Sequence, residues 1–190
     1  MKRIEEKAEA MKAGKTTGES FFDLLLESEL VEVHGIKNTG DIIGQLRLFY
    51  FVGYDTASMM LVWTMVLLSI HQNWQQRARE EVFQVYGDSE PNYEGLSQLK
   101  IVKDANDFKP NRFADEVMKA TKGKTAYFPF DWGPRVCIGQ NFALLEGKLM
   151  LVNILKTFFF ELSPIYIHVP HVIFTLQPQF GAHIVLYELE

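Results

Sequence analysis

Residues 128–145 read Phe128-Pro-Phe-Asp-Trp-Gly-Pro-Arg-Val-Cys137-Ile-Gly-Gln-Asn-Phe-Ala-Leu-Leu145, and this stretch governs the reading of the whole chain. A cysteine sits in a Gly-rich loop directly before an apolar run of helical spacing. Helix N-termini present unpaired N–H groups and a partial positive charge, and both favour a thiolate over a thiol. Gly133 and Gly139 let the backbone turn tightly and approach a ligand closely. Arg135 offers a planar fork suited to a carboxylate, and Phe130 can cover the sulfur and exclude water. A thiolate, a nearby arginine and a flat aromatic surround describe a heme pocket with cysteine as axial ligand. The bland alternative is a buried structural cysteine, the commoner fate of a lone cysteine.

Working outward, Cys137 is the single cysteine of 190 residues, which excludes an internal disulfide and any multi-cysteine zinc or iron–sulfur site. Hydrophobic residues at 47% and charged residues at 23% place the chain among globular proteins of one domain, two at most. Fifteen Phe, 7 Tyr and 3 Trp supply material for a sizeable core. A net charge of −5 argues against nucleic acid as the main partner. The charged first fifteen residues lack the apolar run of a signal peptide. Thr56 to Ile70 is uncharged but shorter than the roughly 20 residues of a membrane span, so a buried core helix is expected there and no membrane anchor is read. Gly14-Lys15-Thr16 resembles the end of a phosphate loop, yet Glu9 stands where that loop needs glycine. The five histidines show no metal spacing on a helix, and no Ser/His/Asp arrangement stands out.

The remaining pattern predicts a mainly α chain. Met1 to Ala13 reads as an exposed charged helix and Ser20 to Glu29 as a short one, followed by a loop through His34 and Gly35. Thr39 is the expected N-cap of a long helix from Asp41 to about His71, apolar nearly all round and therefore central. Asn73 is expected to cap Trp74 to Tyr86, which ends at Gly87 and carries Trp74, Ala78, Val82 and Val85 on one side. A short helical turn is expected over Gly95 to Lys100, and the chain turns polar and irregular from Lys103. Phe142 to Phe160 has helical spacing. The tail alternates over Val172–Gln177 and His183–Leu189 about a turn at Pro178–Gly181, which predicts a small β-hairpin.

The run Phe130-x-x-Gly133-x-Arg135-x-Cys137-x-Gly139 resembles the cysteine-ligand signature of the cytochrome P-450 family, the heme-thiolate monooxygenases. Five fixed positions in ten make the match specific. Phe108-Lys-Pro-Asn-Arg-Phe113 resembles the family's meander element, and Val52-Gly-Tyr-Asp-Thr56 the oxygen-activating stretch of its long central helix. Trp74 to Val82 and Gln177 to Ala182 look most like plant members of the 72 clan. The resemblance implies the C-terminal part of that fold, with residues 1–102 forming the long central helix and its flanking helices. Residues 103–190 would supply the meander, the cysteine loop, the following helix and the β tail. It implies heme (iron protoporphyrin IX), with Cys137 as the metal ligand, its electron donation favouring O–O bond cleavage. Phe130, Gly133, Arg135 and Gly139 would bind the cofactor, Arg135 through a propionate. Asp55 and Thr56 would deliver protons, and an acid beside a hydroxyl inside an apolar helix is costly unless the two serve each other or water. The implied partners are a hydrophobic plant metabolite such as a terpenoid, O2 and an NADPH-dependent flavin reductase. The implied location is the endoplasmic reticulum membrane, through an N-terminal anchor that this sequence does not include.

Four departures from the family pattern bear on activity. No glutamate has arginine three residues on, so the family's Glu-x-x-Arg helix is missing, and the junction of Val102 with Lys103 reads as an internal deletion. The segment that would precede residue 1 in the family, with much of the substrate pocket, is not in the sequence. Val52 stands where a small residue is usual, and Asp131 where Gly or Ser is usual. The alternative function is thus a catalytically inactive remnant. Arg112, which in the family pairs with the Glu-x-x-Arg helix, is expected to turn outward or to find Asp115 or Glu116.

Overall fold

The computed structural model describes residues 20–30, 38–99, 129–131 and 133–189, together with residues 10 and 13. The expected meander at 108–113 with Arg112, the loop through His34 and Gly35, and Gly14–Thr16 lie outside the described residues, as does nearly all of Met1–Ala13. The chain divides into two compact units, Met1–Tyr54 and Asp55–Glu190.

In the first unit, helix α1 spans Phe21–Leu30. Ser20 caps it reciprocally with Asp23: the Asp23 N–H donates to Ser20 Oγ at 3.2 Å, and the Ser20 N–H donates to Asp23 Oδ2 at 3.2 Å. Helix α2 spans Thr39–Ile70, and the division between the units falls within it. Its cap is Asn38, one residue before the expected Thr39: the Asp41 N–H donates to Asn38 Oδ1 at 3.2 Å, and Asn38 Nδ2 donates to Asp41 Oδ2 at 3.1 Å. An amide both accepts from the helix end and donates to its third residue, which a threonine hydroxyl does less well. Leu25, Leu26 and Ile42 form a small buried cluster, flanked by Phe22 and Leu46.

Helix α2 runs unbroken through Gly53 to Thr56. The expectation that it is buried all round fails over its middle, although Ile42 near its start is buried. Val66, Leu68 and Ser69 are buried, whereas Leu48, Phe49, Tyr50, Phe51, Val52 and Tyr54 are exposed. Among the described residues it is the one helix long and apolar enough to cross a membrane, and 11% of its most apolar window is buried.

The second unit continues with helix α3, Gln72–Tyr86, helix α4, Tyr93–Gln98, a 3₁₀ turn at Gly133–Arg135 and helix α5, Gln140–Thr157. His71 rather than Asn73 stands at the N-cap of α3, its carbonyl accepting from Trp74 N at 2.8 Å and Gln75 N at 3.2 Å. Gly87 ends that helix at φ 52°, in the left-handed region that glycine enters without strain. Helix α4 starts two residues earlier than expected because Asn92 Oδ1 accepts from Gly95 N at 2.9 Å.

Strand β1, Phe158–Leu162, replaces the helical end expected for 158–160. It pairs antiparallel with β4, Ile184–Glu188, in a register that sets Phe160 opposite Leu186. Strands β2, Pro170–Val172, and β3, Leu176–Pro178, form a separate hairpin closed over 173–175. The expected single hairpin of Val172–Gln177 with His183–Leu189 is therefore corrected. Its first arm folds on itself, and its second returns to the strand after α5. The Pro178–Gly181 turn exists, with Gly181 N donating to Pro178 O at 3.1 Å, but it joins two sheets rather than two paired strands.

The core of this unit is Leu68, Trp74, Ala78, Val82, Tyr86, Leu96, Leu99, Leu151, Val152, Leu155 and Phe160. Buried among these apolar groups are two polar side chains of α3, Gln75 and Arg79. Gln75 Nε2 donates to Phe160 O at 2.7 Å and Gln75 Oε1 accepts from Phe160 N at 3.1 Å. Arg79 donates to Leu155 O at 3.1 Å and to Phe158 O at 2.7 Å. The bonds to Phe158 and Phe160 fill the edge of β1 that faces away from β4, and the bond to Leu155 O meets the last turn of α5, places where an unpaired backbone would be costly. Burial pushes the Arg79 guanidinium down from its ordinary value.

Candidate functional site

The cysteine loop is shaped by its backbone. Phe130 and Asp131 adopt φ values of 66° and 67°, and Gly133 follows at 75°. Such values strain residues with a Cβ, least so aspartate. They turn the chain so that Cys137 N donates to Phe130 O at 2.8 Å, which closes the loop on itself. The 3₁₀ turn tightens it further, with Val136 N donating to Gly133 O at 3.2 Å. Gly139 is the N-cap of α5, and Gln140 N donates to Cys137 O at 3.3 Å. Cys137 thus stands at the start of α5, where the sequence placed it.

Cys137 is an exposed free thiol, in contrast to the buried structural cysteine of the bland alternative. Val136 is 44% exposed, Ile138 86% and Phe142 71%, so the apolar side chains that neighbour the cysteine in sequence stand open. Singly exposed apolar residues are ordinary, but three within five residues of an accessible thiol give the loop apolar groups that a flat apolar ligand could cover. Arg135 is exposed two residues before the thiol, and Phe130 is half-buried. The donor set, one sulfur at a helix N-terminus between apolar flanks, fits a heme. A Cβ added at Gly139 would stand 3.8 Å from Cys137 Sγ, an ordinary contact, so this glycine is not demanded by space around the sulfur.

Asp55 and Thr56 lie side by side on α2, Asp55 half-buried and Thr56 exposed. The structure ties Asp55 to the turn between β2 and β3: Thr175 Oγ1 donates to Asp55 Oδ2 at 2.7 Å. Trp63, further along α2, donates from Nε1 to Leu176 O at 2.7 Å. Neither Thr175 nor Trp63 was legible as part of a site. The contact with Asp55 spans 120 positions of sequence, and Thr175 sits in a stretch that reads only as a strand.

A cavity of about 600 Å³ opens between α2, α4 and α5, lined by Met60, Leu61, Tyr93, Leu96, Phe142 and Leu145 among others. Lys148 crosses its rim to donate to Leu96 O at 2.9 Å, at the end of α4.

The family model for Cytochrome P450 matches residues 1–105 and again 100–179. Cytochrome P450 72A11 of Arabidopsis thaliana is 41% identical over 240 residues, covering 98% of this chain and 47% of that protein. The 11-oxo-beta-amyrin 30-oxidase of Medicago truncatula is 42% identical over 246 residues, with 98% and 47% covered. The 7-deoxyloganic acid hydroxylase of Catharanthus roseus is 40% identical over 248 residues, with 98% and 48% covered. The chain spans about half the length of the curated relatives it matches. With a family model matched across most of its residues and a thiol displayed at the start of α5 between open apolar side chains, the chain belongs to the cytochrome P450 family.

Proposed function

We propose that this site is that of a plant heme-thiolate monooxygenase that oxidises a hydrophobic small molecule of terpenoid type. The observation that carries the proposal is the exposed Cys137 thiol at the start of α5, flanked by Val136, Ile138 and Phe142. Heme is the cofactor of the family. Cys137 would hold it through sulfur, Arg135 through a propionate, and Phe130, Gly133 and Gly139 through the shape of the loop. When bound, the heme supplies the activation of dioxygen, tuned by electron donation from its thiolate. Asp55 holds a carboxylate on α2 and Thr56 a hydroxyl beside it, a pair able to take up and pass a proton through water. Open apolar side chains around the sulfur would pack against the macrocycle and keep water from that face. Electrons would come from an NADPH-dependent flavin reductase at the endoplasmic reticulum membrane. The Medicago and Catharanthus relatives are named for oxidation of an amyrin and of deoxyloganic acid, which supports a substrate of this class.

A second reading, favoured by the comparisons, concerns this chain as it stands. The alignment with the Arabidopsis relative runs over 240 residues of that protein, against 190 residues in the whole chain, and the family model matches in two pieces that meet at 100–105. At least 50 aligned positions therefore lack a counterpart in this chain, and the meeting of the two family matches at 100–105 supports a deletion at the Val102–Lys103 junction. Without that segment the heme would lose a wall, so this chain binds heme weakly and does not turn over. Heme titration of the purified chain, followed by gel filtration and an assay with a reductase, separates the two readings. Stoichiometric heme that survives filtration and supports turnover favours the first, and heme lost on the column favours the second.

A further inference from the structure

The turn between β2 and β3 is fastened to α2 at two points, and the two bonds differ in kind. Trp63 Nε1 donates to the backbone carbonyl of Leu176 at 2.7 Å, a contact indifferent to the residue at 176. Its ring also meets His168 at 5.7 Å edge-on, and the Tyr166 hydroxyl lies 2.9 Å from His168 Nδ1, so this attachment is broad. The bond from Thr175 Oγ1 to Asp55 Oδ2 at 2.7 Å joins side chain to side chain and sets the direction of a carboxylate. A hydroxyl has one hydrogen and two lone pairs. Gln177 Nε2 donates to Thr175 Oγ1 at 3.3 Å, which occupies a lone pair and leaves the hydrogen for Asp55. Gln177, Thr175 and Asp55 thus form a directed chain. Among the described residues, Thr175 is the one partner of the Asp55 side chain. An aspartate on a helix surface otherwise chooses among rotamers, and an acid that passes protons has to be held within reach of its partner.

We propose that Thr175 is a positioning residue for Asp55: the β2–β3 turn, and not α2 itself, fixes the orientation of the acid. The functional meaning rests on reading Asp55 as the proton-delivering acid, while the geometric claim is testable without heme. The test is carbon-13 NMR of the chain labelled at aspartate carboxyl carbons, with the Asp55 resonance identified by its loss in Asp55→Asn. Thr175→Val is expected to shift that resonance more than any other aspartate's, and Thr175→Ser to leave it near its original position. The Trp63 indole N–H resonance is expected to stay in place in both variants, because the second attachment persists. An Asp55 resonance unmoved in Thr175→Val overturns the proposal, and so does a serine variant that fails to restore it. A Trp63 signal displaced together with Asp55 also overturns it, since the turn then comes away as a unit and Thr175 is only adhesive. Should Thr175→Val fail to fold, Thr175→Cys, close in size and a weak donor, gives the same readout. Failure of the chain to bind heme counts against its activity as a monooxygenase and leaves this result standing.

Discussion

Gly95 and Gly147 each lie where a helix meets a neighbour, and a methyl group affects them differently. A Cβ at Gly95 meets the Tyr86 ring itself, which is rigid, 6% exposed, and tied by its hydroxyl to Asn92 O at 3.2 Å. A Cβ at Gly147 meets the terminal methyl of Met60, the free end of a flexible side chain. Gly95→Ala should therefore destabilise the fold by about 1–3 kcal/mol. Gly147→Ala gains about 0.8–1 kcal/mol of helix propensity, and moving Met60 offsets part of it, so its net effect stays within about 1 kcal/mol. Urea denaturation of the two variants checks the contrast, and equal losses would contradict it. At this scale the cysteine was legible because glycines punctuate the chain on both sides of it and an apolar run follows. The Asp55 partner was not, because a hydroxyl in an alternating stretch carries no mark of the acid it meets. The caps at Asn38 and His71 were missed for local reasons: Asn38 and Thr39 are adjacent good caps, and His71 caps only through its carbonyl, which no side chain marks.

At the scale of elements, the junction of α5 with β1 depends on α3. Gln75 and Arg79 act as a substitute third strand along the inner edge of β1, meeting Phe158 and Phe160. Arg79→Met keeps the apolar stem but leaves the buried Leu155 carbonyl and the part-buried Phe158 carbonyl without this donor, and an unsatisfied buried acceptor costs about 1–3 kcal/mol. The expected result is a lower urea midpoint together with faster amide exchange in β1 and β4, while α1 is unaffected. An unchanged midpoint would show that water replaces the guanidinium. Both residues were assigned to no face in the sequence, because a glutamine and an arginine beside Trp74 and Ala78 look like the solvent side of an amphipathic helix. Their partners are backbone groups 76 to 85 residues away, which no local pattern displays. For the same reason Phe158 to Phe160 read as the end of a helix. Three aromatic residues satisfy helical and strand burial alike, and the pairing with Leu186 that decides the matter is remote. The long helix, by contrast, was legible nearly to the residue, since its apolar character persists over nine turns between two polar boundaries.

For the molecule as a whole, the proposal to be tested is that Cys137 holds heme and that a deletion at the Val102–Lys103 junction limits how well it does so. The buried Leu99 at the end of α4 marks the last described residue before that junction. Inserting the corresponding segment of a plant relative between Val102 and Lys103 should increase the heme retained after gel filtration several-fold, and equal retention would remove the missing segment from the account. The most direct test is the absorbance spectrum of the heme-titrated chain after reduction under carbon monoxide, recorded beside Cys137→Ala. The account predicts a thiolate-type band that appears with excess heme, is lost when the heme is filtered away, and is absent from the alanine variant at every heme concentration. An identical spectrum in the two proteins, or one of nitrogen-ligated type in the unmodified chain, would contradict it.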